Sequence, residues 1–182
     1  MFKFVDKRWF ISALCLLVIP AFKPLQAQKD KRDPLTPAQQ EQIAEAGIYP
    51  DERLSLYTKF ANERINRIEG LGKRTESGRG KRLDSEIQDF TALVDELASN
   101  LDTYGDRKAD IRKSLKGLNE DLPKWQAILG GLPRDPVSEI ARRDATEALG
   151  DLVEDAKRYA AEQDAYFKEH KDATGQEREE PK

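Results

Sequence analysis

Apolar residues recur along the middle of the chain at steps that alternate between four and three. The series runs Leu83, Ile87, Phe90, Val94, Leu97, Leu101 and Tyr104, then Ile111, Leu115, Leu118, Leu122, Trp125, Leu129 and Leu132. Lys108 is the one seam position filled otherwise. A 3.5-residue repeat lays a single narrow stripe along a helix, and such a stripe must be covered by other helices. β-branched runs with period-two alternation are absent. The pattern predicts an all-α fold, an elongated antiparallel helical bundle with coiled-coil-like seams.

The register stays in phase across Gly105, which leaves two architectures open. Residues 82–130 form a single helix about 70 Å long at 1.5 Å per residue, kinked where Pro123 removes a backbone donor. Alternatively Gly105 caps a first helix, Gly105-Asp106 turns the chain, and two helices of similar length fold back as part of an up-down four-helix bundle. The unbroken phase favours the single long helix, and with it a bundle of three long helices.

The flanks carry further helix signals. Thr36-Pro37-Ala38-Gln39 reads as a capping box with proline at the first helical position, starting a short helix that runs to about Ala46 with Gly47 beyond its end. Pro50 and Asp51 open the next helix, with Leu54, Tyr57, Ala61, Ile65, Ile68 and Leu71 as its stripe, Phe60 beside it, and Glu63–Arg67 as an outward i, i+4 pair. Gly130-Gly131-Leu132-Pro133 ends the long seam. Asp135 is the expected cap of the last helix and Pro136 its first residue. That helix should run to about Lys171, with Val137, Ile140, Ala141, Ala145, Ala148, Leu149, Leu152, Ala156, Tyr159, Gln163 and Tyr166 facing inward, and with Glu139–Arg143 and Glu154–Arg158 as outer pairs.

The string Leu35-Thr36-x-x-Gln39 resembles the LTxxQ signature of the Spy/CpxP type of small periplasmic helical stress proteins. The resemblance covers about five residues, without a second copy, and a capping box by itself produces the same string. It implies a cysteine-poor helical chaperone or stress adaptor working outside the cytoplasm.

The N-terminus bears on compartment. Lys3, Lys7 and Arg8 precede a 14-residue apolar core from Trp9 to Phe22, short for a membrane span and suited to a secretory leader. Cleavage is expected after Ala27, with Leu25 at the −3 position; a retained N-terminal membrane anchor is the minor alternative. Cys15 is the only cysteine and follows Leu14, which argues against a lipoprotein site. The expected layout is a signal peptide over 1–27, a linker over 28–35, a helical domain over 36–171 and a polar, disordered tail over 172–182. Export places the mature chain in the periplasm or outside the cell.

Composition fits long helices that bury one stripe: charged residues make up 36% and hydrophobic ones 38%. Without the leader the chain carries 27 basic and 33 acidic residues, a net charge of −6. That balance argues against a nucleic-acid partner. The most basic stretch is 73–82, where Lys73, Arg74, Arg79, Lys81 and Arg82 face only Glu76. Those five are the candidate contact residues for an anion, a lipid headgroup or an acidic partner. A solvated connector between two helices accounts for the same composition, and on that reading neutralising all five leaves stability nearly unchanged.

Other chemistry is thin. The single histidine, His170, falls at the fraying end of the last helix and lacks the oriented surroundings of a triad. One histidine cannot supply the two Glu-x-x-His units of a di-iron bundle. Asp95, Glu96 and Asp102 read as the wet face opposite the seam. No catalytic, cofactor or metal residues stand out, and no cofactor or small-molecule substrate is expected. The sequence points to an exported, non-enzymatic helical protein acting through a protein partner, itself or an envelope surface; the alternative is a periplasmic chaperone or stress adaptor of the LTxxQ type.

Overall fold

The computed structural model describes residues 33–171, and no strand occurs among them. The leader with Cys15, the spacer up to residue 32 and the tail from 172 lie outside the described residues. Five helices follow one another: α1 (Pro37–Glu45), α2 (Pro50–Gly72), α3 (Arg79–Asp106), α4 (Arg112–Gly131) and α5 (Glu139–Glu169). α1 starts as its sequence dictates. Thr36 Oγ1 accepts from the Gln39 amide and Gln39 Oε1 accepts from the Thr36 amide, with Pro37 at the first helical position. The residues of the LTxxQ string are thus used to open a helix.

The four long helices make an all-α bundle in which α2 touches α3 and α4, and α5 touches the same two. α3 and α4, consecutive in sequence, stand at opposite corners. α2 runs antiparallel to α3, since Arg64 reaches Glu86 and Asp89. α4 and α5 are antiparallel too, with Ile111 near Gln163. Across the hairpins the pairing is parallel. Asp51 meets Ser114 and Asn62 meets Asp121 between α2 and α4, while Arg79 meets Asp135 and Asp102 meets Tyr159 alongside α3 and α5. Two helical hairpins therefore lie side by side, joined by a diagonal link over 107–111.

That link overturns the single long helix. α3 ends with the Lys108 amide donating to the Gly105 carbonyl at 3.1 Å and the Ala109 amide donating to the Tyr104 carbonyl at 3.0 Å. These are the two bonds of a Schellman motif, and they place Lys108 at the left-handed position, φ +54°. Ile111 then precedes α4 without a side-chain cap of its own. Its amide donates to Gln163 Oε1 of α5 at 3.3 Å, and the Ser114 amide donates to Asp51 Oδ1 of α2 at 2.9 Å. Two donors at the start of α4 are thus satisfied by other helices, and the Arg112 amide donates locally to Asp110 Oδ1 at 3.4 Å.

Glycine stands at 105 for a different reason from the one its sequence position suggests. A Cβ there would overlap the Tyr159 ring, whose hydroxyl donates to Asp102 Oδ1 at 2.6 Å and whose face carries the Arg158 guanidinium at 4.1 Å. Gly105→Ala should destabilise by about 1–3 kcal/mol through this overlap, although helix propensity alone predicts a gain of about 1 kcal/mol; urea unfolding gives the sign. At Lys108 the sign reverses. An L-residue in the left-handed region costs about 1–2 kcal/mol, so Lys108→Gly should stabilise by about 1 kcal/mol after the loss to the freer unfolded chain, again read by urea unfolding.

The core lies along the predicted seam, and each seam residue from Leu83 to Leu132 apart from Lys108 is buried. Trp125 fills the centre: its ring meets Phe90 edge-on at 5.6 Å and its Nε1–H donates to Asn62 Oδ1 at 2.7 Å. α4 continues through Pro123, whose side is exposed. In α2 the stripe residues Leu54 to Ile68 are buried with Phe60, while Leu71 is half-buried.

Two charged groups join them, Arg64 and Asp89. Arg64 is 7% exposed and donates to Asp89 at 2.9 Å, Glu86 at 3.0 Å and the Pro34 carbonyl at 2.5 Å. Pro34 and Leu35, assigned by sequence to the linker, already pack on the bundle.

Several outward pairs differ from expectation. Arg67 pairs with Glu86 from the next helix, and Glu63 accepts from Gln39. In α5, Arg142 takes Glu139 and Arg158 takes Asp155, both at i, i+3.

The start of α5 also differs. The helix begins at Glu139, three residues after Pro136. Asp135 closes a turn there, accepting the Val137 amide on Oδ1 at 3.0 Å and the Ser138 amide on its carbonyl at 3.1 Å. Val137 and Ile140, expected inside, are exposed. At the far end Phe167 is buried and Tyr166 only half-buried, because the stripe drifts by one position.

Candidate functional site

The hairpin geometry carries both hairpin turns, 73–78 and 132–138, to the same end of the bundle. A single carboxylate ties them. Arg79, the first residue of α3, sends Nη2 to Asp135 Oδ2 at 2.9 Å, and its Nη1 donates to the Arg74 carbonyl at 3.3 Å. Gly80 allows this approach, since a Cβ there would stand 2.9 Å from Asp135 Oδ2. The Val137 amide, with the Arg79 guanidinium as a second donor, holds the Asp135 carboxyl below its usual range.

The five sequence candidates separate into two groups. Lys73, Arg74, Lys81 and Arg82 are exposed. Lys73 lies 2.6 Å from Glu69, and Glu76 is shared by Arg82 at 2.7 Å and Arg74 at 3.4 Å. Arg79 is half-buried and holds the two turns together. Replacing the four exposed cations with Gln should leave the melting temperature within a degree or two, since exposed pairs contribute about 0–1 kcal/mol.

Adding Arg79→Gln should lower the melting temperature, because this side chain, unlike the other four, joins the two turns. The Asp135 carboxyl is depressed, so its contribution is complete above about pH 4 and disappears as pH falls through the lower folded value. The difference between the four-fold and five-fold variants should therefore be largest at neutral pH and shrink near pH 2, as thermal melts across pH would report.

The structure adds residues that the sequence reading missed. Arg67 comes from α2 into a surface groove of about 550 Å³ between α2 and α3, where Arg74 and Arg82 also stand, with Leu71 and Glu86 in its lining. From the other turn come Arg134 and Arg143, both exposed, together with Val137 at 54% and Ile140 at 67% exposure. Segments 73–82 and 132–143 together hold eight basic and three acidic residues, a surplus of five. The opposite end, over 46–53, 106–113 and 163–171, holds seven basic and six acidic residues. Its groove, of about 620 Å³, is lined by both signs, with Arg112 bound to Asp110 and stacked on Phe167 at 4.5 Å. Separation in sequence hid the surplus, because Arg134 and Arg143 lie more than fifty residues from Arg82.

Other titratable groups are in structural use. His170 is exposed, stacked on Tyr166 at 4.3 Å. Burial, and after it the hydrogen bond its hydroxyl donates to Asp102, keeps the Tyr159 phenol above its ordinary pKa. Among the described residues no group of three or more His, Cys, Asp or Glu is placed to hold a metal ion, and no helix is long and apolar enough to cross a membrane. Compared with known protein families, curated proteins and solved structures, the chain matches none.

Proposed function

We propose that this is an exported, non-enzymatic helical protein that works by contact with a protein partner, with itself or with an envelope surface, and that the basic end of the bundle is its contact face. The observation that carries the reading is the meeting of two sequence-distant turns at one end, with a surplus of five positive charges and two exposed aliphatic side chains. Buried polar groups support it from the other side. Arg64, Gln163 and Ser114 are engaged in bonds that fix helices to one another, and this use of buried polar groups in packing supports a role exercised at the surface.

Crosslinking and mass spectrometry of the native envelope fraction tests the reading. Crosslinks to another molecule should start from 73–82 and 134–143, and should weaken when Lys73, Arg74, Lys81 and Arg82 become Gln. Crosslinks confined to the flanks of the bundle, or indifferent to those four changes, would remove the assignment. Suppression of client aggregation by the purified protein, equally indifferent to the four changes, would instead favour the LTxxQ-type chaperone role.

A further inference from the structure

Resting on that contact reading, we infer that the basic end docks end-on against an anionic membrane surface, with Val137 and Ile140 entering the headgroup boundary beside lipid phosphates bound by Lys73, Arg74, Lys81 and Arg82. The two aliphatic side chains are exposed within three residues of each other, Val137 in the turn that leads into α5 and Ile140 in its first turn. The Asp135–Arg79 pair fixes that turn next to the basic one. Apolar residues flanked by cations are the composition of interfacial anchors, where burial of apolar area and attraction to anionic lipid add.

Charge favours a membrane over an acidic protein. The cations are spread over two turns, as a field of repeated phosphates requires, and Arg79, which sits between them, is already bound to Asp135. The rest of the chain after the leader is strongly acidic, since a total of −6 includes this end's surplus of five. An anionic surface therefore attracts the basic end and repels the flanks, which orients the bundle on its tip.

Ile48 and Tyr49 are exposed at the opposite end, but there the charges nearly cancel.

The test expresses the full-length chain, purifies it as it matures, and measures sedimentation with vesicles of phosphatidylcholine alone or mixed with phosphatidylglycerol. The reading is the ratio of the two partition coefficients and its change from parent to variant, a comparison in which any leader that remains, basic through Lys3, Lys7 and Arg8, contributes equally. The ratio should be at least about tenfold in low salt and should collapse in high salt. It should fall at least about tenfold when Lys73, Arg74, Lys81 and Arg82 become Gln. Val137→Ser with Ile140→Ser should weaken binding to the mixed vesicles about tenfold. Both variants change exposed side chains and should keep the parental melting temperature.

A ratio near one, or a ratio unaffected by the four charge changes, overturns the membrane inference. If those changes still remove a protein crosslink in the envelope fraction, the contact reading stands and the partner is an acidic protein. If they alter neither vesicle binding nor crosslinks, both fall.

Discussion

Leu97→Asp should leave the chain largely unfolded at room temperature, and Leu118→Asp should do the same. Leu97 is 0% and Leu118 1% exposed, in two different helices of one continuous core. Each change removes a buried leucine, which costs about 2–5 kcal/mol, and adds a carboxylate that must either stay unpaired in apolar surroundings or take up a proton at a cost. The sum reaches the 5–15 kcal/mol that holds a typical domain together. Far-UV circular dichroism should show the loss of helix, whereas Leu97→Met, which keeps the volume, should cost less than about 1.5 kcal/mol. Full helicity and an unchanged melting temperature in both Asp variants would refute the seam.

Arg64→Ala is expected to destabilise by about 3 kcal/mol, at the lower end of what breaking a buried ion pair costs. The guanidinium serves Asp89 and Glu86 on α3 and the Pro34 carbonyl ahead of α1, so its removal loosens two separate contacts. Unfolding in denaturant gives the total. Hydrogen exchange separates the parts: amides of α1 should exchange faster than those of α4, because the α1 segment is held mainly through α2 and this one residue. The double variant Arg64→Ala/Asp89→Ala should cost less than the two single changes together, by at least about 1 kcal/mol. Equal exchange at α1 and α4 would mean that Arg64 does not hold the segment at Pro34.

The buried seam was legible because burial along a helix needs only periodicity, and every seam position from Leu83 to Leu132 apart from Lys108 is buried, with Leu93 joining the core from beside the seam. The break at 107–111 was not. Seven residues separate Tyr104 from Ile111, so a link that leaves the helix and returns kept the phase by its length alone. Two of the acceptors at the start of α4, Asp51 and Gln163, come from distant helices, and the local one, Asp110, is a single acid in a charged stretch. Asp135 was misread for a related reason: it does cap a turn, but Arg79 shares it and the helix starts later. Arg64 left a readable trace. It follows Tyr57 and Ala61 and precedes Ile68 at steps of four and three, so a cation in a stripe position signalled a buried pair whose acids no local rule could name. Of the candidate surface, the cluster at 73–82 was plain from composition, while its partner turn required the three-dimensional arrangement.

The diagonal link has a spectroscopic consequence. Trp125 belongs to the second hairpin, yet its ring rests on Phe90 and its N–H on Asn62, both from the first. Indole emission from a chain made without residues 1–27, which carry Trp9, accordingly senses the moment when the halves come together, while the dichroism of either hairpin alone is blind to it. A folding experiment that follows both signals separates assembly of the halves from their internal helix formation.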